Sequence, residues 1–208
     1  MKVIECDQGS TAWLLARCGI PTASEFHELI TPARKARESE GRESYLLRKV
    51  AEKFMGYPAD GGQTFPMQQG SIIETIARPW YEFTYDVKVK QVGFCTTDDG
   101  RIGCSPDGLI GEDGGIEIKS PEDHTHLKYL LAGGVPPQYL AQVHGSLYVT
   151  GRKWWKFVSY SRYFPSLVVH VERDEAWIAA LDAVLKSFLK DFDAARAKIN
   201  DLMPKDAQ

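Results

Sequence analysis

Asp107, Glu117 and Lys119 are the residue types that phosphodiester hydrolysis asks for, and they fall within one stretch running from Ser105-Pro106-Asp107-Gly108-Leu109 to Ile116-Glu117-Ile118-Lys119-Ser120-Pro121. Magnesium prefers oxygen ligands and keeps several waters, so two carboxylates and a backbone carbonyl can hold it while leaving room for phosphate and water. An ammonium beside such an ion can orient the attacking water or stabilise charge developing on the phosphate. Spacing alone is a weak signal: 25% of the chain is charged, and Glu117 with Lys119 also reads as a solvated strand face.

The positioning element is a predicted β-hairpin. Asp107 sits between a proline and a glycine at the start of an apolar run, a Gly-rich turn follows from Gly111 to Gly115, and Ile116 to Lys119 reads as the return strand. Alternation sends Ile116 and Ile118 to one face and Glu117 with Lys119 to the other, so acid and ammonium share a space.

Further elements follow in order. Residues 2–6 read as a short edge strand, Ser10 or Thr11 caps a helix through Trp13 to Arg17, and a second helix begins at Thr22 with Phe26, Leu29 and Ile30 inward. Arg17 and Ser24 suit an anion at that helix start, and also read as a dipole partner and a cap. Residues 31–42 form a polar surface loop. Residues 43–55 form an amphipathic helix with Tyr45, Leu46, Val50 and Phe54 inside and Arg48, Lys49 and Lys53 outside. A helix from about Gln69 to Phe83 contains Pro79, and Glu74 on it reads alone as a surface acid. Val87 to Gln91, Phe94-Cys95 and Ile102 onward read as consecutive antiparallel strands.

After Pro121 comes a polar and aromatic segment that ends at Gly133-Gly134 and reads as neither helix nor strand. Its His124 and His126 invite a zinc reading, but no helix register or nearby cysteine completes four tetrahedral ligands. Pro137 starts a helix that carries Tyr139 and Gln142, the latter also readable as a surface amide. Strands follow at Trp154 to Val158 and Leu167 to Glu172, then a long amphipathic helix from Asp174 to Asn200.

Composition frames these motifs. The 208 residues predict one domain, 1–208, with no linker or repeat. A net charge of −3 does not announce a nucleic-acid binder, although phosphate contacts need only a local basic patch. The four cysteines form no Cys-x-x-Cys pair and read as buried free thiols; none lies beyond Cys104, which argues against a C-terminal iron–sulfur cluster. No apolar stretch approaches a membrane span, so the expectation is a soluble protein.

The chain resembles the phage lambda exonuclease and YqaJ-type viral recombinase family of the restriction-endonuclease-like, PD-(D/E)xK nucleases. The likeness runs through Trp13 to Arg17, Thr22-Ala23-Ser24-Glu25, Gly70, Glu74, the two hairpin motifs and Ala141-Gln142-Val143. It implies an α/β fold with a restriction-endonuclease-like core, a central mixed β-sheet flanked by α-helices. It implies a DNA exonuclease that digests one strand of a duplex from its 5′ end, releases 5′-mononucleotides and leaves a 3′ single strand for annealing. Two Mg²⁺ ions are implied, with Mn²⁺ as a substitute, held by Asp107, Glu117 and the Ile118 carbonyl. Lys119 positions the water, Glu74 is a third acid, and Gln142 completes the site. Arg17, Ser24 and Ser105 receive the 5′-phosphate, Arg34 reaches into the duplex, and Met67 stands where the family has a strand-separating wedge, though it also reads as a core residue. One departure stands out: a phosphate-binding arginine aligns with Thr125, leaving His124, His126 or Lys128 as substitutes. The resemblance further implies a homotrimeric ring acting on double-stranded DNA ends, a phage single-strand annealing protein as partner, and the cytoplasm of a bacterial host, with a phage or prophage origin. A structure-specific or restriction-type endonuclease and a non-catalytic DNA-end binder are the alternatives.

Overall fold

The computed structural model describes residues 1–59 and 65–204, with the side chains of 1–59 and 73–204. Its centre is a five-stranded mixed sheet of β2 (Val89–Lys90), β5 (Gly108–Ile110), β6 (Gly114–Lys119), β7 (Trp154–Ser159) and β8 (Leu167–Glu172), in that spatial order. Only β6 and β7 run parallel. A smaller antiparallel sheet joins β1 (Lys2–Ile4), β3 (Phe94–Thr96) and β4 (Gly103–Cys104). The central mixed sheet flanked by helices is the arrangement expected.

Helices cover both faces. α5 (Pro137–Thr150) and α6 (Glu175–Leu202) bury Val143, Leu147, Leu181, Leu185 and Phe188 with Trp155 and Phe157 of β7. On the opposite face α3 (Phe65–Tyr85) places Ala77 and Tyr81 against Ile116, Ile118 and Val158. Thus Ile116 and Ile118 point away from Glu117 and Lys119, as alternation requires. The close fit at the hairpin depends on Gly115, where a Cβ would collide with the Trp155 ring.

Five expectations are corrected. The segment after α3 does not continue as successive hairpins: β2 pairs with β5, whereas β3 pairs with β1 and β4. The chain changes sheets at Gly93, which passes so close to the Ile4 and Cys6 carbonyls that any Cβ would clash. On α2 (Glu40–Met55), Lys49 is buried and Phe54 exposed, the reverse of the apolar pattern, because Glu52 supplies a buried partner 2.9 Å from the ammonium. The segment after Pro121 is helical, α4 (Asp123–Ala132), ending at left-handed Gly133. Of the cysteines, Cys95 and Cys104 are buried, whereas Cys6 and Cys18 are only partly so. The second predicted helix is a 3-10 turn, Ala23–Glu28, with Phe26, Leu29 and Ile30 buried as expected.

His144, on α5, makes stability depend on pH. It stacks on Trp177 with ring centroids 4.7 Å apart, its Nδ1 is buried without a partner, and burial pulls its pKa down to about 4. The unfolded chain therefore binds an extra proton below the usual histidine value. This contribution is complete above about pH 6.5 and is lost as pH falls toward 4, at most about 3 kcal/mol in all. In urea melts from pH 7 to 4.5, His144→Phe should lose stability more shallowly than the native chain; parallel curves would remove the assignment.

Candidate active site

The hairpin brings the two acids face to face. Gly108 pairs with Ile116 in the antiparallel register, so Asp107, one residue before β5, stands opposite Glu117. Asp107 Oδ2 accepts from the Ile118 amide at 2.5 Å, which fixes its carboxylate against β6. Arg152 closes the far end, where Nη1 donates to the carbonyls of Gly111 and Gly114 at 2.8 and 2.7 Å.

Glu117 is the most enclosed of these acids, at 2% exposed. Its Oε1 takes the Lys119 ammonium at 2.6 Å and the Gln142 amide at 2.5 Å. Its Oε2 is buried and has no hydrogen-bond partner. An orphaned carboxylate oxygen is costly to bury, and a cation is what it fits. Among the described residues no three His, Cys, Asp or Glu side chains gather as one ligand group. The set that fits an ion is therefore Asp107 and Glu117 with the carbonyl of Ile118, which lines the same cleft.

The electrostatics agree with close packing of like charges. Burial, then the charges of Glu117 and Glu74, push the Asp107 carboxyl well above the usual carboxylate range. Burial also raises Glu74, against the pull of Arg78. Burial works to lower the Lys119 ammonium, but Glu117 and Asp107 outweigh it and hold the pKa above the usual lysine value. Tyr139 backs that ammonium, its ring centroid 5.3 Å away.

A second constellation lines the same cleft of about 980 Å³. On α1 (Thr11–Arg17), Trp13 and Arg17 are one turn apart and stack, the guanidinium carbon 4.3 Å from the ring centroid. Both donate to Ser105 Oγ, at 2.9 and 2.8 Å. A hydroxyl that accepts twice has used its lone pairs, so its own proton is directed elsewhere, toward an acceptor in the cleft. Arg17 also reaches Thr22 Oγ1 at 3.4 Å, which lies 3.3 Å from Ser24 Oγ. Burial pulls the Arg17 pKa down, with Glu25 foremost among the charges opposing this.

The structure therefore gathers Arg17, Ser24, Glu74, Ser105, Asp107, Glu117, Ile118, Lys119 and Gln142 around one cleft. Arg34 is not among its lining residues; it has φ 63° and its guanidinium lies 3.5 Å from Asp174, the cap of α6. None of His124, Thr125, His126 and Lys128 lines the cleft either. His126 is fully buried, its nitrogens 2.8 Å from Ser159 Oγ and 3.0 Å from the Pro165 carbonyl. That rules it out as a stand-in for the missing arginine. Met67 lies outside the described side chains.

Some positioning residues escaped the sequence. Trp13 was legible in principle, one helical turn from Arg17. Gln8 carried no signal, yet its amide donates to the carbonyls of Val92 and Pro106 at 2.9 and 2.8 Å, clamping the residue before Asp107. Gln8→Ala should cost about 1–3 kcal/mol, since two carbonyls lose a shared donor. Any hydrolytic kcat should fall about tenfold with KM little changed, because the acid is misplaced rather than removed. Melting and steady-state assays would read both; unchanged values make the clamp incidental.

Comparison with known proteins places this arrangement. The chain is 29% identical to the alkaline exonuclease of Laribacter hongkongensis, covering 92% of this chain and 97% of that one with a TM-score of 0.83; that protein has also been solved in complex with dAMP. A phage-related exonuclease from Haemophilus somnus 129PT shares the fold at 17% identity, with a TM-score of 0.62 over 86% of this chain and 96% of that one. The ExoD protein of Escherichia coli K12 is 31% identical over 78 residues, 35% of this chain and 90% of its own length. The YqaJ-like viral recombinase domain matches residues 12–153, a span from α1 to the residue before β7. Because that span covers more than half the chain and carries Glu74, Asp107, Glu117 and Lys119 of the cleft, the protein belongs to the YqaJ-like viral recombinase domain family.

Proposed function

We propose that the protein is a Mg²⁺-dependent exonuclease that digests one strand of duplex DNA from its 5′ end, releasing 5′-mononucleotides and leaving a 3′ overhang. The observation that carries this reading is the buried, partnerless Oε2 of Glu117 opposite Asp107 and beside Lys119. The Arg17–Ser105 constellation in the same cleft supports a terminal phosphate over an internal one. The related exonuclease solved with dAMP, a deoxynucleoside monophosphate, fits a product of this class.

Bound by Asp107, Glu117 and the Ile118 carbonyl, two Mg²⁺ ions (or Mn²⁺) would neutralise phosphate charge and acidify water. The protein's own groups do the rest. Gln142 holds Glu117 in orientation, and Lys119, kept protonated by its two acidic neighbours, orients the attacking water and faces charge developing on the phosphate. Arg17, Ser24 and the outward proton of Ser105 receive the terminal phosphate, which sets the distance to the bond that breaks. Arg34 belongs to a duplex-contacting surface beyond the cleft. A homotrimeric ring threading the duplex and a single-strand annealing partner complete the proposal, in the cytoplasm of a host cell. No helix among the described residues is long and apolar enough to cross a membrane.

Linear duplexes labelled at either end, with and without a 5′-phosphate, test the reading in the presence of Mg²⁺. Labelled mononucleotides should appear first from the 5′ end and vanish with EDTA. Cutting of closed circles would make the protein an endonuclease, and binding without turnover would make it an end binder. Sedimentation reads the subunit count, and pull-down with a single-strand annealing protein reads the partner.

A further inference from the structure

The cleft holds a second arginine that neither hairpin nor terminal-phosphate constellation uses. Arg78 lies one turn beyond Glu74 on α3, with its side chain 13% exposed and Nη2 donating to Glu74 Oε1 at 2.9 Å. Its Nε is buried and has no acceptor. A buried N–H without a partner costs about 1–3 kcal/mol, more beside a charge, so the position calls for an acceptor the protein does not provide. Arg78 lines the cleft with Glu74, Asp107, Glu117 and Lys119. Glu74 feels the charges of both Glu117 and Lys119, which puts the Glu74–Arg78 pair at the hairpin's end of the cleft. Arg17, by contrast, is committed to Ser105, Thr22 and the Trp13 ring.

The geometry points to Arg78 as a substrate-binding residue whose Nε–H takes a non-bridging oxygen of the DNA phosphodiester beside the hairpin acids, while Glu74 aims the guanidinium through Nη2. The inference rests on the nuclease reading above. It gives the cleft two guanidinium sites, Arg17 for the terminal phosphate and Arg78 for the internal one. A planar fork suits this task better than a lysine ammonium, because one edge can face the phosphate while another nitrogen stays on Glu74.

The test uses the native chain, Arg78→Ala and Arg78→Lys. In Mg²⁺ assays Arg78→Ala should lose about 10²-fold in kcat/KM, the scale of one charge-assisted hydrogen bond. Arg78→Lys, which keeps the charge and lacks Nε–H, should recover only part of that loss. Affinity is then measured in Ca²⁺ for duplexes with a phosphate or a neutral methylphosphonate at the first internucleotide link. The native chain should bind the methylphosphonate duplex more weakly, whereas Arg78→Ala should bind the two alike. Full activity in Arg78→Ala, full rescue by lysine, or an undiminished preference for phosphate in the alanine variant would each overturn the assignment. If Arg78→Ala fails to fold, the lysine variant, which keeps a cation beside Glu74, carries the same comparison. A native chain that hydrolyses no DNA would instead sink the nuclease reading itself, so the two failures are distinct.

Discussion

Asp107→Ala should hydrolyse 5′-phosphorylated duplex DNA on the order of 10³-fold more slowly than the native chain or worse, because it removes one of the two hairpin carboxylates that face each other across the proposed cation site. Binding should survive, since Arg17, Ser24 and Ser105 are separate from the hairpin acids. Asp107 also accepts from the Ile118 amide, so alanine could act through the hairpin instead. Asp107→Asn keeps an acceptor for that amide and removes the charge. If the chemistry is the cause, both variants lose turnover, and asparagine keeps the native melting temperature. Single-turnover kinetics with DNA affinity measured in Ca²⁺ would show it; a native rate in either variant ends the assignment.

Lys119→Ala is the second large effect. A positioned proton donor or water-orienting group contributes about 10²–10⁴-fold, so turnover should fall by that range with KM little changed. The same change strands Glu117, which is 2% exposed and would keep only the Gln142 amide on Oε1. Breaking a buried pair costs about 3–5 kcal/mol, discounted here because the Lys119 side chain is 26% exposed. Added Mg²⁺ should restore part of that stability without restoring turnover. Melting curves with and without the ion separate these effects. A variant that melts low yet turns over normally would reduce Lys119 to a structural counter-ion.

The hairpin was legible because its signals are local. Alternation from Ile116 to Lys119 fixes which side chains share a face, and the structure puts Ile116 and Ile118 under α3 with Glu117 and Lys119 opposite. The strand starts earlier than its apolar residues suggest, at Gly114, because two glycines admit the tryptophans of β7. Lys49 was misplaced because a helical pattern of apolar positions carries no information about a buried ion partner such as Glu52. Likewise, α4 has few apolar side chains at helical spacing, and His126 is buried there by hydrogen bonds rather than by an apolar stripe. Gln8 and Arg78 could not be singled out, since their roles arise from carbonyls and a cleft assembled by residues far away in sequence.

Composition gave no hint of nucleic acid, and the cleft explains why: its cations sit beside five acids, Glu5, Asp7, Glu74, Asp107 and Glu117, so the site is charged without being basic. DNA binding there should depend on the divalent ion more than on bulk charge, which is the property the hairpin chemistry requires.

Crystals grown with Mn²⁺ and a 5′-phosphorylated duplex, read by anomalous scattering, address the hairpin site directly. Anomalous peaks should lie against the Asp107 and Glu117 carboxylates, with Glu117 Oε2 among the ligands. An ordered DNA end with no peak at that position, or peaks only elsewhere, would contradict the account.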